Sequence, residues 1–572
     1  MCGIVGIFGK NASEAELNKM QIVTARRGPE KQTGRQIKGG WLGHNLLSFV
    51  AIGNNSQPLL LPGITLVWNG EIYNWRELEA EFGFSAKNDT ELLAFGLRDV
   101  GVEFLRKIQG QFAFIAQIEA DGNVKTVVGR DRWGISPLAF GVNGSGDIAI
   151  ASTEAAVAQA NVSAIKTIPA GSYGEVQDGG ITLEYWQQLQ QVPVPQQGSI
   201  CPKGVIAKVK QRVESRIPEQ RDILFTAMGG IDSQTVTVFT ARATNGEFGG
   251  AITVVPWDPQ QPDTLTLGDY HEAKASLTML AAEGIEVKHH VAQLNPDYIR
   301  GNSDVCPLDR VLSVLGPDYF HVCCGLAEDL VATTAGKLRG KAIMTAGGPD
   351  EAGWSYKPWT HMHRGNLEEG FFAIGDQFSS AEGVRAGLVF GEHGIENRVP
   401  LAHLIEDAMG VKADQKQDIL DWGDANDPLS IKMRDKIFWR EAVAEILPIG
   451  SLNQPKKTIH GATGVKLALY HVACADKAFL KEREGFIREL IPLGWQSNVF
   501  CTLNHLDPNN IITEGQVYCL WRWRTLAHDL FLQGSPKRYL HSLYSPHLQD
   551  KINRPLCYDW MISPKDAQLP VV

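Results

Sequence analysis

Cys2, Asn69, Gly70 and Asp89 are residues whose chemistries fit together. The chain begins Met1-Cys2-Gly3-Ile4-Val5-Gly6-Ile7-Phe8-Gly9. A small second residue favours removal of the initiator methionine, which would leave a free α-amine on Cα and a thiol on the adjacent Cβ. One residue then holds nucleophile and proton acceptor together. A thiolate that attacks a carboxamide creates a tetrahedral oxyanion, and that charge needs N–H donors aimed at it. The run Asn69-Gly70-Glu71-Ile72-Tyr73-Asn74 follows the apolar stretch Leu66-Val67-Trp68. The Asn69 side chain and the Gly70 backbone N–H can supply two such donors. In Asn88-Asp89-Thr90-Glu91, Asp89 can hold an ammonium group. Taken singly, each piece has a plainer reading: a buried cysteine, a hairpin turn at Asn-Gly, a helix N-cap at Asp89.

A second constellation lies further on. After Ile223-Leu224-Phe225 comes Thr226-Ala227-Met228-Gly229-Gly230-Ile231-Asp232-Ser233-Gln234, then a helical run from Thr235 to Ala241. Strand, glycine loop and helix start is the geometry that cradles phosphates on backbone N–H groups. No Gly-Lys-Ser/Thr follows, so it is not a Walker A loop, and it is not a dinucleotide fingerprint. The stretch Ile343-Met344-Thr345-Ala346-Gly347-Gly348-Pro349-Asp350-Glu351 also follows an apolar strand. Asp350 can pair with Asp232 across one Mg²⁺, two carboxylates meeting pyrophosphate oxygens.

These residues must be positioned by at least two different scaffolds. Residues 1–190 alternate short apolar runs (Thr65–Trp68, Phe112–Ile115, Val124–Val128, Ile148–Ile150) with Gly, Asn and Asp. That texture predicts a sandwich of sheets with helices against it, including helices at Glu14–Thr24 and Glu91–Val100. Residues 191–204 continue a Gln- and Pro-rich stretch and read as a linker. From 205 to 535, helical runs alternate with strands such as Ala251–Val255, which predicts a parallel α/β sheet. Beyond about residue 366 the pattern is mostly helical, and 536–572 reads as a tail.

The totals agree with a multidomain enzyme. The chain has 572 residues, 44% hydrophobic and 21% charged, with net charge −10. Net negative charge argues against a nucleic-acid-coating surface, and no apolar run reaches a membrane span. Nine cysteines, without a Cys-x-x-Cys, fit the reducing cytoplasm better than a disulfide framework.

With Arg26-Arg27-Gly28-Pro29-Glu30 and Gly129-Arg130-Asp131-Arg132-Trp133-Gly134, the first constellation resembles the glutaminase domain of class II (N-terminal-nucleophile) glutamine amidotransferases. The second resembles the pyrophosphate loop Ser-Gly-Gly-x-Asp-Ser of ATP pyrophosphatases. With Gly394–Leu401 and Pro455–Gly464, residues 205–530 resemble the synthetase domain of asparagine synthetase B. The resemblance implies an α+β N-terminal-nucleophile sandwich followed by an α/β ATP-pyrophosphatase domain with a helical C-terminal part. It implies Cys2 as nucleophile, Asn69 and Gly70 as oxyanion hole, and Asp89 with Asn69 and Glu71 around glutamine. ATP would lie on Gly229, Gly230, Asp232, Ser233, Thr345 and Ala346, with Mg²⁺ at Asp232 and Asp350 and Lys456 as catalytic cation. The implied reaction is glutamine- and ATP-dependent amidation of a carboxylate through its acyl-adenylate, with aspartate the family's acceptor. Two other readings stay open: the same chemistry on a different carboxylate (a modified nucleobase, a peptide or a secondary metabolite), or a non-catalytic nucleotide-binding paralogue. A homodimer is compatible with each.

Three positions depart from the family pattern. Leu46 replaces an arginine that grips the glutamine α-carboxylate, a contact worth about 1.5–3 kcal/mol; weak glutamine binding, a substitute cation such as Arg26 or Arg35, or an altered amide donor would each follow. Met228 replaces the first serine of the pyrophosphate loop. Gly347 replaces a glutamate near the acyl-adenylate.

Overall fold

The fold is taken from a computed structural model. It describes residues 1–49, 57–120, 122–187, 202–301, 306–353, 375, 378–409, 436–454, 459–490 and 511–526.

The N-terminal part is built on two six-stranded antiparallel sheets. The first, in spatial order, holds β10 (Val162–Thr167), β8 (Ala139–Asn143), β9 (Ile148–Ala151), β1 (Gly3–Phe8), β3 (Gly40–Leu46) and β2 (Lys31–Ile37). The second holds β12 (Gly180–Tyr185), β11 (Ser172–Gln177), β7 (Asn123–Arg130), β6 (Gly110–Ala120), β5 (Ile64–Ile72) and β4 (Leu59–Leu61). Alternation along the strands explains how they stack. In β1, Ile4 and Phe8 enter a core shared with Val67, Ile115 and Val128 of the other sheet. Val5 and Ile7 point the opposite way, against Leu17 and Met20 of the helix Glu14–Thr24. In β5, Leu66 and Trp68 face Leu92, Leu93 and Leu97 of the helix Asp89–Asp99. The result is helix, sheet, sheet, helix, with β1 buried on both faces. That is why its sequence is an almost unbroken apolar run, and why the residue before it is held rather than frayed.

The second part carries a five-stranded parallel sheet in the order β15 (His289–Leu294), β14 (Gly250–Pro256), β13 (Leu224–Ala227), β16 (Ala342–Met344) and β17 (Glu396–Arg398). The chain runs outward from β13 to β15, then returns to β16 on the other side. Strand order therefore reverses between β13 and β16, and open α/β sheets bind ligands beyond the carboxyl ends of the strands at such a point. The loops at that point are Met228-Gly229-Gly230 and Thr345-Ala346-Gly347.

Two details differ from the sequence reading. Residues 202–204, read as linker, open the helix Pro202–Glu214. The region beyond 366, read as mostly helical, also supplies β17. Glu396-Asn397-Arg398 is too short and too polar to show a strand period, and only pairing with β16 makes it one. The proposed tail and most of the linker lie outside the described residues.

Candidate active site

Cys2 sits immediately before β1. Its Sγ accepts from the Leu47 N–H at 3.4 Å and approaches the Leu47 carbonyl at 3.7 Å. Arg27 braces it from below: Nε donates to the Cys2 carbonyl at 3.2 Å and Nη1 to the Gly387 carbonyl of the second part at 3.2 Å. Met1 is 1% exposed, and its Sδ lies 3.8 Å from Arg27 Nη2. With Met1 in place, burial lowers the terminal amine to about 6 and raises the Cys2 thiol to about 11, the neighbouring amine opposing the second shift. Removing Met1 would bring the amine onto Cys2 itself.

Asn69 and Gly70 lie in the middle of β5, not in the hairpin turn that Asn-Gly suggests alone. Asn69 is 1% exposed, and its Nδ2 has no hydrogen-bond partner. A buried, unpaired amide N–H costs about 1–3 kcal/mol, so its retention calls for an acceptor that arrives with a ligand. A Cβ at residue 70 would stand 2.2 Å from the Gln111 carbonyl of β6, so close strand approach requires glycine there.

The helix Asp89–Asp99 is capped by Asn88, whose Oδ1 accepts from the Glu91 N–H at 2.9 Å. That relieves Asp89 of the capping role. Asp89 Oδ2 accepts from the Ile72 N–H at 3.3 Å, and burial raises its carboxyl to about 6. Glu71 is raised to about 8, by burial first and then by Glu396, with Arg398 opposing. The structure thus gathers Cys2, Glu71 and Asp89 into one partly buried electrostatic neighbourhood. Glu396 and Arg398 join it from the second part, two residues the sequence reading quoted without assigning a role.

The expected substitutes for the missing arginine do not reach this centre. Arg26 is 65% exposed and pairs with Glu392 at 3.5 Å, and Arg35 lies on an exposed stretch of β2 opposite Leu42. Arg27 is the buried cation beside Cys2. The piece Arg130–Gly134 proves to be scaffolding. Asp131 accepts from the backbone N–H groups of Trp133, Ile135, Ser136 and Phe112. The loop drives Trp133 into the second part, edge-on to Phe378.

The second centre forms where the strand order reverses. Gly230 leads into the helix Ile231–Thr244. The Gly229 N–H donates to Ser233 Oγ at 2.8 Å, and Gln234 Nε2 donates to the Gly229 carbonyl at 2.7 Å. Nothing stands within 4 Å of a Cβ built on Gly230, which leaves room for a phosphate against the helix start. Met228 is buried against Ala251 and Ala273, so it replaces a phosphate-side hydroxyl with packing. Asp232 and Asp350 converge on one cation: Lys436 Nζ lies 2.5 Å from Asp232 Oδ2 and 2.6 Å from Asp350 Oδ1, while Trp439 Nε1 donates to Asp232 Oδ1 at 2.8 Å. Two hard carboxylate oxygens that already share a cation suit Mg²⁺. Among the described residues no cluster of three or more metal-type side chains forms. Gly229, Gly230, Asp232, Ser233, Thr345, Ala346 and Asp350 line one cavity of about 310 Å³. Lys456 and its neighbour Lys457 lie outside the described residues.

Gly347 lines the same cavity, and a Cβ there would stand 3.0 Å from the Phe378 ring. A buried aromatic fills the space toward which the family's carboxylate side chain would start. The two centres share a wall. Gln111 Nε2 of β6 donates to the Asn397 carbonyl of β17 at 2.6 Å, and Asn397 lines the cavity, with Oδ1 accepting from Thr345 Oγ1 at 2.8 Å. Arg398 Nη2 donates to Glu71 at 3.2 Å. Gln111 Oε1 and Asn397 Nδ2 are buried without partners.

No helix among the described residues is long and apolar enough to cross a membrane. Residues 1–169 match the family of glutamine amidotransferase domains. The chain is 30% identical over 253 residues to asparagine synthetase B (glutamine-hydrolyzing) of Escherichia coli (strain K12), covering 42% of this chain and 45% of that protein. It is 27% identical over 346 residues to asparagine synthetase (glutamine-hydrolyzing) 1 of Arabidopsis thaliana, covering 55% and 57%. The chain thus matches about half the length of these curated relatives. Among solved structures, the glutamine phosphoribosylpyrophosphate amidotransferase of B. subtilis is similar at 18% identity and a TM-score of 0.28, over 42% of this chain and 64% of that one, too slight a likeness to weigh. An amidotransferase domain over residues 1–169, followed by a parallel sheet that carries the Met228-Gly229-Gly230 loop, makes the chain similar to these synthetases over about half their length.

Proposed function

We propose that the protein is a glutamine-dependent, ATP-consuming amidotransferase of the cytoplasm, with residues 1–190 releasing ammonia and residues 205–535 using it. Cys2, with Met1 removed, attacks the glutamine carboxamide; its own amine takes the thiol proton and returns it to the departing ammonia. Asn69 Nδ2 and the Gly70 N–H hold the oxyanion, and Asp89 holds the α-ammonium group with Glu71 beside it. Water then frees glutamate from the thioester. In the second centre the backbone around Gly229 and Gly230 and the Ser233 hydroxyl hold the ATP phosphates, and Asp232 and Asp350 would hold Mg²⁺. The metal would supply neutralisation of phosphate charge. Lys456 is proposed to stabilise the leaving pyrophosphate. The acceptor carboxylate oxygen attacks the α-phosphorus and pyrophosphate leaves. Ammonia then attacks the acyl carbon and AMP leaves, yielding the amide. Aspartate is the family's acceptor.

The observation that carries this reading is the shared wall. Asn397 touches Gln111 of the amide-cleaving half and lines the phosphate cavity as well, an adjacency that supports hand-over of ammonia from one half to the other. The six cysteines of the described residues are free thiols, in keeping with a reducing compartment. The test is product analysis with glutamine, Mg²⁺-ATP and candidate acids. AMP, pyrophosphate and glutamate should appear together; ADP and phosphate in their place would refute the reading. Release of AMP that persists at full rate in Cys2→Ala with glutamine as the sole nitrogen source would refute the coupling.

A further inference from the structure

The cavity wall carries a second charge arrangement that bears on the acceptor. Glu328, on the helix Tyr319–Lys337, Glu382, and Arg385, on the helix Gly383–Gly391, all line it. Arg385 is almost fully buried. Its Nε donates to both oxygens of Glu328 at 3.1 Å, its Nη2 to Glu328 Oε1 at 3.0 Å, and its Nη1 to Glu382 Oε2. The nearby His321 is held neutral by burial. Among the described residues two carboxylates meet one guanidinium here, burial raising the Glu328 carboxyl and Arg385 opposing that shift, and Glu382 Oε1 has no partner. The other described cations in the walls are also engaged. Lys436 lies between Asp232 and Asp350, and Arg440 Nη1 donates to the carbonyls of Leu452 and Gln454 at 2.7 and 3.2 Å. Phe320, Ala327, Val331, Phe378 and Phe390 add apolar surface to the same cavity.

Aspartate brings two carboxylates. One must reach the α-phosphorus; the other needs a cation or hydrogen-bond donors, because an unpaired buried carboxylate is strongly disfavoured. Arg385 is the cation placed for it, and Glu328 and Glu382 already occupy its N–H groups. A cationic nitrogen meets the opposite situation: two carboxylates, one of them with an open oxygen.

We propose that the acceptor is a monocarboxylic acid carrying a cationic nitrogen at its far end, selected by Glu328 and Glu382, and that aspartate is a poor substrate. This rests on the amidotransferase reading above and narrows its substrate class. No step of the reaction changes; only the group anchoring the acid differs.

The closest matched probes are aspartate and 3-aminopropanoate, which is aspartate without its second carboxylate, with propanoate as the neutral control. Acid-dependent pyrophosphate release is measured on the full chain with Mg²⁺-ATP and ammonia, in parallel with glutamine hydrolysis, and the series is extended to longer ω-amino acids. The best ω-amino acid should exceed both aspartate and its own amine-free counterpart in kcat/KM by about tenfold, the factor one charge-assisted hydrogen bond supplies. Glu382→Gln should shrink the advantage over the amine-free acid, and Glu328→Ala should raise aspartate relative to 3-aminopropanoate by releasing Arg385. Aspartate as the best acid in the unmodified protein would overturn the specificity and leave the amidotransferase reading standing. Pyrophosphate release with none of the acids, while glutamine hydrolysis persists, would overturn both. The comparison on the unmodified protein needs no variant to fold.

Discussion

Asn69→Ala separates the oxyanion role from a structural one. In the structure Asn69 Nδ2 is buried and unpaired, so truncation breaks no hydrogen bond made by that nitrogen and removes a donor that is itself costly to bury, by about 1–3 kcal/mol. The cavity left by a small polar side chain opposes that gain, and folding stability should change by no more than about 1 kcal/mol. The transition state is a different matter. Deleting one oxyanion donor costs about 2.7–4 kcal/mol, or 10²–10³ in kcat. Glutaminase turnover should therefore fall by about two to three orders of magnitude, with a small change in KM, because the ground-state carboxamide oxygen does not demand the donor as the oxyanion does. The assay is glutamate release under saturating glutamine, beside pyrophosphate release driven by ammonia. The second rate, which bypasses Asn69, should be unchanged. A fall in kcat of less than about tenfold, or an equal loss in both assays, would refute the oxyanion assignment. Gly70→Ala is no substitute, since its Cβ would stand 2.2 Å from the Gln111 carbonyl.

Cys2→Ala should abolish glutamine hydrolysis and leave ammonia-driven pyrophosphate release intact, and the intact mass of the parent protein should be short by one methionine. The Asp89 carboxyl is raised by burial to about 6 and must be ionised to hold an ammonium group, so KM for glutamine should climb as pH falls below about 6, and Asp89→Asn should flatten that dependence while raising KM. The same shift makes Asp89 favour folding most at low pH. Its contribution fades as pH rises through about 6, and a denaturation series on Asp89→Asn should lack that trend. Gly347→Glu, although it restores the family residue, should lower the melting temperature and fail to restore aspartate use, because its Cβ starts 3.0 Å from the Phe378 ring; a stable variant with aspartate-dependent activity would show that the ring yields.

The sequence by itself determined the local geometry and pointed to the kind of chemistry proposed. The strand of Ile4–Phe8, the helix Glu14–Thr24 and the loop at Gly229–Gly230 all follow from apolar period, capping residues and glycine placement, which act over a few residues. The ordered motifs also suggested two kinds of centre, Cys2 with Asn69, Gly70 and Asp89, and Asp232 with Asp350, because the proposed chemistry resides in those residue types. Tertiary structure decided what depends on packing between distant segments. It placed Asn69-Gly70 in a strand rather than a turn, because β6 pairs across it. It moved the helix cap from Asp89 to Asn88, made Glu396–Arg398 a strand on the edge beyond β16, and chose Arg27 over Arg26 and Arg35 as the cation beside Cys2. It also set Phe378 against Gly347, and Glu328 and Glu382 around Arg385. Phe378 and Gly347, 31 residues apart, and Arg385 and Glu328, 57 apart, leave no period or spacing to read. They meet only because separate elements of the fold close on the same cavity.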